Sequence, residues 1–123
     1  MSPAHWIATG AISAAIAVAL GAFGAHGLEE RVTPDDLEIW KTGVHYHFLH
    51  AIGLVLLGLF LHQRGTRAPV AGWCFLAGQA VFAGTLYAMV LGGPRVLGAI
   101  TPIGGVLLIV GWLAFARSAL RSS

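Results

Sequence analysis

The sequence predicts an all-α membrane protein, a four-transmembrane-helix bundle with a short interfacial helix in its first loop. Composition is the first reason. Hydrophobic residues make up 57% of the chain and charged residues 10%, with a mean hydropathy of +0.80. A soluble domain carries about 25% charged residues, so this chain lacks the polar surface to stay dissolved. The second reason is that Asp, Glu, Lys and Arg are missing from four long runs: 1–28, 42–63, 68–94 and 96–116. Each run supplies the roughly 20 apolar residues that a spanning helix needs. The third is punctuation, since turn residues and charges cluster between the runs. A transmembrane β-barrel would need short segments of alternating polarity, and these runs are too long and too uniformly apolar for that.

The first span is expected over about 5–26. Ala22-Phe23-Gly24 superficially resembles a leader cleavage site, but no Lys or Arg precedes Trp6, and a secretory leader normally carries one there. The expectation is therefore a retained helix. The connection that follows holds all five acidic residues: Glu29, Glu30, Asp35, Asp36 and Glu38. Within it, Thr33-Pro34-Asp35-Asp36 reads as a helix start, with Thr33 as cap, Pro34 at the first position and acids in the first turn. This is the interfacial helix, leading through Trp40 into a second span over about 40–63. Arg64-Gly65-Thr66-Arg67 and Gly92-Gly93-Pro94-Arg95 read as tight turns, placing the third span near 69–91 and the fourth near 97–117. The tail from Arg117 to Ser123 is expected to fray.

Pro102 lies near the start of the fourth span and deprives the Gly98 carbonyl of its usual partner. With Thr101 before it and Gly104-Gly105 after it, a kinked or partly unwound helix start is expected. The 17 glycines would weaken a soluble helical protein. In lipid, small residues let backbones approach and gain dispersion energy. The single Cys74 allows no intrachain disulfide.

The polar residues of the spans gather toward one end of the bundle. His26 closes the first span. Trp40, Lys41, Thr42, His45, Tyr46, His47 and His50 occupy the first half of the second. Thr85 and Tyr87 come late in the third, Arg95 lies in the turn and Thr101 heads the fourth. His50 stands ten residues past Trp40, about 15 Å deep. Ionisable groups at such depth are costly and face a bundle interior or a cavity. The candidate polar site is thus His26, Trp40, Lys41, His47, His50, Thr85, Tyr87, Arg95 and Thr101. Of these, His26, His47 and His50 are weak candidates for a metal, because imidazole suits Zn and Cu but no carboxylate lies in any span to complete the set. The preferred reading is of neutral histidines hydrogen-bonded to Thr85, Tyr87 or main-chain carbonyls. No cofactor is expected.

The motifs Gly21-Ala22-Phe23-Gly24-Ala25-His26-Gly27-Leu28 and Trp40-x-Thr42-Gly43, with Tyr46 and His50-Ala51, resemble the YgdD-like family of small membrane proteins. Phe82-Ala83-Gly84-Thr85-Leu86-Tyr87, Thr101-Pro102-Ile103-Gly104-Gly105 and Gly111-Trp112 extend the likeness over nearly the whole chain. The resemblance implies a four-span inner-membrane protein without an established activity. It departs from the family pattern where Ala83 and Thr85 stand in place of more usual serines. His47 occupies a position that is frequently not histidine, which counts against an obligatory metal role there.

Function is bounded mainly by exclusion. The seven Lys and Arg form no aromatic-laced stripe, which argues against nucleic acid. No nucleophile–base pair, phosphate loop or zinc-protease motif is present, so no enzyme is expected. The leading expectation is a non-catalytic protein that self-associates or serves as an accessory subunit of a larger membrane complex. The alternative is a small transporter or channel component using the polar end, where a histidine relay could carry protons. The setting expected is a bacterial inner (plasma) membrane. Arg64, Arg67, Arg117 and Arg121 lie on one side, and Arg31, Lys41 and Arg95 on the other. By the positive-inside rule this puts both termini in the cytoplasm.

Overall fold

The computed structural model describes residues 1–122 and contains helices and turns with no strand among the described residues. Helix α1 runs Pro3–Phe23 and passes into a π-helical turn, Gly24–Leu28. Helices α2 (Pro34–Arg64), α3 (Pro69–Val90) and α4 (Leu97–Arg121) follow. All four are long and apolar enough to cross a membrane, and they form a four-helix bundle.

Local chemistry sets the helix ends. Ser2 caps α1, its hydroxyl accepting from the His5 main-chain N–H at 3.3 Å, with Pro3 as the first helical residue. Thr33 caps α2 in the same way, its Oγ1 accepting from Asp36 N–H at 3.1 Å. That is the start read from Thr33-Pro34-Asp35-Asp36. The interfacial helix, however, is not a separate element. Residues 34–39 are the first turns of a single 31-residue helix. No Gly or Pro falls between Pro34 and Gly43 to interrupt it, and Thr42 Oγ1 bonds back to the Glu38 carbonyl at 3.0 Å. At 1.5 Å per residue α2 is about 46 Å long, well beyond the roughly 30 Å hydrocarbon core. Gly65 then ends α2 in the left-handed region at φ 64°, a conformation for which glycine is suited.

Two other expectations change. The helix does not unwind at Pro102, since α4 runs unbroken through it. Its approach is already tight, with Leu97, Gly98 and Ala99 bonding to the carbonyls three residues earlier. A proline one turn later therefore costs little further regularity. The tail is also more ordered than expected: α4 continues to Arg121, and Arg64 Nη1 donates to the Ser122 carbonyl at 2.7 Å. Ser123 lies outside the described residues.

Helices α2 and α3 form the central pair, with α1 packed closely on α2 and α4 on α3. Around α2, the face bearing Ala51, Leu54 and Val55 meets Gly10 of α1, whereas Gly53 meets Trp112 of α4. The flanking helices thus sit on opposite sides of the central pair. Toward the Arg64 turn the core is Trp6, Leu54, Leu57, Leu61, Ala68, Ala71 and Phe75. At the other end Leu28, Trp40 and Val90 form a second cluster. The Trp40 indole donates to the Leu20 carbonyl at 2.9 Å and lies directly over Gly24. Immediately beyond this contact the chain widens into the π-helical turn, a common response where a side chain presses into a helix.

The Trp6 ring lies flat against Gly72 with no room for a Cβ, while Gly84 has open space where a Cβ would stand. Gly72→Ala is expected to destabilise by about 1–3 kcal/mol through overpacking. Gly84→Ala should change stability by less than about 0.5 kcal/mol. Thermal unfolding of the two variants in one detergent checks the contrast, and equal midpoints would refute this account of the packing.

Candidate functional site

The polar side chains of the spans do not form one site. They divide into two clusters, around His50 and around His47, and a separate Thr85–Thr101 pair. His50 is buried, with 3% exposure. Its Nδ1 bonds the Tyr46 carbonyl at 2.7 Å, and its Nε2 accepts from Trp112 Nε1 of α4 at 2.9 Å. Because Nε2 accepts, the ring is neutral and carries its proton on Nδ1. Phe75 and Trp112 close over it, with ring centroids 5.9 and 5.7 Å away. His50 thus lies in the interior and uses a main-chain carbonyl, both as expected, but its side-chain partner is Trp112 rather than Thr85 or Tyr87. Thr85 Oγ1 bonds Thr101 Oγ1 at 2.6 Å, joining α3 to α4, and Tyr87 bonds His47. A leucine at position 50 would strand the Trp112 N–H.

The second cluster is a continuous hydrogen-bonded chain through three helices. Tyr87 Oη and His47 Nδ1 are 3.0 Å apart, and His47 Nε2 and Ser13 Oγ 2.9 Å. Ser13 Oγ donates to Gln79 Oε1 at 2.8 Å. The single hydroxyl proton of Ser13 fixes the rest. Having given it to Gln79, Ser13 must accept from His47 Nε2–H, which leaves Nδ1 to accept from Tyr87 O–H. Every donor in the chain therefore points from Tyr87 toward Gln79. Gln79 is 3% exposed, and its Nε2 has no partner.

This arrangement redraws the sequence-based site. Ser13 sits ten residues into α1, and Gln79 ten residues into α3. Both are near the bilayer centre. The polar feature thus runs from Tyr87 inward to the midplane and then stops on the apolar core around Trp6, Leu54 and Phe75. His26 is exposed on the π-helical turn, away from the chain. His47 and His50, one turn apart on α2, use both ring nitrogens on different partners. The three weak metal candidates are therefore not brought together, and among the described residues no group of three or more His, Cys, Asp or Glu converges.

The remaining candidates have local roles. Trp40 packs on Tyr87 with centroids 4.6 Å apart, holding the phenol toward His47. Lys41 is exposed and pairs with Glu38 at 3.6 Å. Arg95 reaches Asp36 at 3.2 Å, tying the α3–α4 turn to the first turn of α2. An exposed pair of this kind contributes about 0–1 kcal/mol. Sequence reading passed over Gln79 and Trp112. Gln79 was visible as the one carboxamide within the run 68–94. Trp112 was visible only as an indole donor, which needs an acceptor when buried.

Two openings adjoin these residues. A groove of about 280 Å³ between α1 and α3 is lined by Ser13, His47, Gln79 and Tyr87 among apolar and small residues. A larger cleft of about 480 Å³ lies between α1 and α2, walled by Gly21, Val44, Phe48 and Ile52, with Lys41 and His45 as its polar members. Only the first is lined by the hydrogen-bonded chain from Tyr87 to Gln79.

Comparison with known proteins agrees with this architecture. The profile of the family described as "Protein of unknown function (DUF423)" matches residues 20–105. A "UPF0382 membrane protein" of Staphylococcus epidermidis is 42% identical over 116 residues, covering 94% of this chain and 95% of that protein. The "UPF0382 membrane protein YwdK" of Bacillus subtilis is 42% identical over 118 residues, covering 94% and 96%. No solved structure matches the chain. The likeness to a small family of membrane proteins without an established activity therefore holds at that level, although these matches do not carry the narrower YgdD-like name. The chain belongs to the DUF423 family of small membrane proteins.

Proposed function

We propose that this integral membrane protein is a non-catalytic subunit that self-associates or accompanies a larger membrane complex. One observation carries the reading. Ala4, Ala8, Ala11, Ala15, Ala19 and Ala22 of α1 are all exposed. At 100° per residue they fall within an arc of about 80°, opposite the stripe of Trp6, Gly10 and Ala17 that α1 buries in its own bundle. A small-residue stripe about 27 Å long and turned away from the bundle allows another helix to approach closely, which is how membrane helices associate.

The protein is expected to run as a dimer or larger species by mass photometry in nanodiscs. Ala11→Leu with Ala15→Leu should shift it toward monomer without altering its helicity. A monodisperse wild-type monomer with no co-purifying partner would sink the proposal.

A second reading is favoured by a different observation, the chain from Tyr87 through His47 and Ser13 to Gln79. Here the protein is a small transporter or channel component with a polar site reached from the acidic-loop side. The chain supplies a path for half the bilayer, and the apolar core below Gln79 closes the other half. His47, linked on both ring nitrogens within the chain, is the residue to test, because His50 is committed to Trp112. Proton or solute flux into liposomes should fall at least tenfold in His47→Ala, and an unchanged flux removes the motivation for this reading.

Both termini are proposed to face the cytoplasm of a bacterial inner membrane. The margin of four positive charges to three supports this orientation. In a Cys74→Ala background, a cysteine at residue 33 should label from the periplasm and one at residue 66 should be protected. The reverse pattern inverts the topology.

A further inference from the structure

We infer that the groove between α1 and α3 is a binding site for a compact, neutral, largely apolar molecule bearing a carbonyl acceptor, of the ketone or quinone type, which enters sideways from the lipid. The inference rests on the second reading only in using the same side chains, and it requires no transport. Gln79 is 97% buried by its 3% exposure, lines the groove and holds a carboxamide N–H with no acceptor. A buried donor left unpaired costs about 1–3 kcal/mol. Its other end is pinned, because Oε1 accepts from Ser13 and Ser13 is held by His47. The free N–H is therefore a donor without an acceptor, lying beneath the groove wall, and an acceptor in the groove meets it once the side chains covering it shift slightly.

The surroundings limit what that acceptor can belong to. No Asp, Glu, Lys or Arg lines the groove, so a charged ligand would stay uncompensated at a depth where charge is expensive. The volume of about 280 Å³ is at the small end for ligand sites and suits a molecule of roughly a dozen heavy atoms. Ala80 and Gly84 are exposed on the α3 lip, and a Cβ at Gly84 would touch nothing within 4 Å. The groove is thus open laterally, toward acyl chains. Depth excludes the commonest carbonyls of a membrane. Gln79 lies near the midplane, whereas glycerolipid esters sit about 15 Å away at the edge of the hydrocarbon core. A ring ketone or quinone dissolved in the bilayer interior reaches Gln79, and a lipid ester does not.

The test uses the full-length protein in nanodiscs with fluorenone as probe and fluorene, of the same shape without the carbonyl, as control. Fluorenone should bind saturably at least tenfold more tightly than fluorene. Its carbonyl stretching band should move to lower frequency on binding, as an N–H donor requires. Gln79→Met should abolish both the preference and the band shift. Should Gln79→Met fold poorly, Gly84→Val, at a position where a Cβ meets nothing within 4 Å, narrows the open lip and should remove binding while keeping the wild-type melting temperature. Equal binding of the two probes, an unshifted carbonyl band, or retention of both effects in Gln79→Met would overturn the inference. Spontaneous disulfide-linked dimers of Gly84→Cys in a Cys74→Ala background would also overturn it, because a second copy of the chain would then cover the groove. Failure here with flux still dependent on His47 would remove the ligand and leave the second reading intact. Binding without any flux would do the opposite.

Discussion

The close approach of aromatic rings to helix backbones is the contact on which the rest of this bundle depends. Trp6 lies on Gly72, Trp40 on Gly24, Tyr87 on Gly43, and Phe75 on Gly111. In lipid there is no hydrophobic drive to push apolar helices together, so helix cohesion has to come from dispersion at short range and from hydrogen bonds. At Trp40 and Tyr87 a glycine opposite the ring gives both. It brings a flat polarisable surface against main-chain atoms, and it carries the ring's polar atom to a partner on another helix. Trp40 does this with the Leu20 carbonyl, and Tyr87 does it with His47. The polar chain is held in register by the same contacts that hold the helices.

Much of the fold could be read from the order of residues, and the reason is that lipid imposes few choices. A charge-free run of 20 residues in a bilayer must satisfy its own backbone, which leaves the helix. Thr33-Pro34-Asp35-Asp36 and Gly65 mark helix ends by local stereochemistry, and the structure uses each of them that way. The same local logic allowed an unwound start at Pro102, which the helix does not show, because the cost of a proline depends on how regular the preceding turn already is. It also divided α2 into two helices at the membrane surface, although hydrogen bonding along a helix takes no account of where lipid begins.

The candidate site was less legible, since depth can be counted along a helix but rotation about the bundle cannot. His47, His50, Thr85 and Tyr87 lie at similar depths, and sequence alone pairs them freely. In the structure His47 turns toward α1 and α3, and His50 toward α4. Ser13 and Gln79 were overlooked for the same reason. They lie in different apolar runs, and only the packing of α1 against the central pair makes them neighbours.

The length of α2 has a mechanical side. The turn between α2 and α3 is only four residues, 65–68, so the excess length of α2 emerges almost wholly on the acidic side. There its first turns stand clear of the hydrocarbon as a stiff stub, braced by the Asp36–Arg95 contact. With no glycine or proline before Gly43 to act as a hinge, the stub and the segment carrying Trp40 move as one rod. A sideways load on the acidic turns would thus fall on the segment carrying Trp40, whose ring packs on Tyr87.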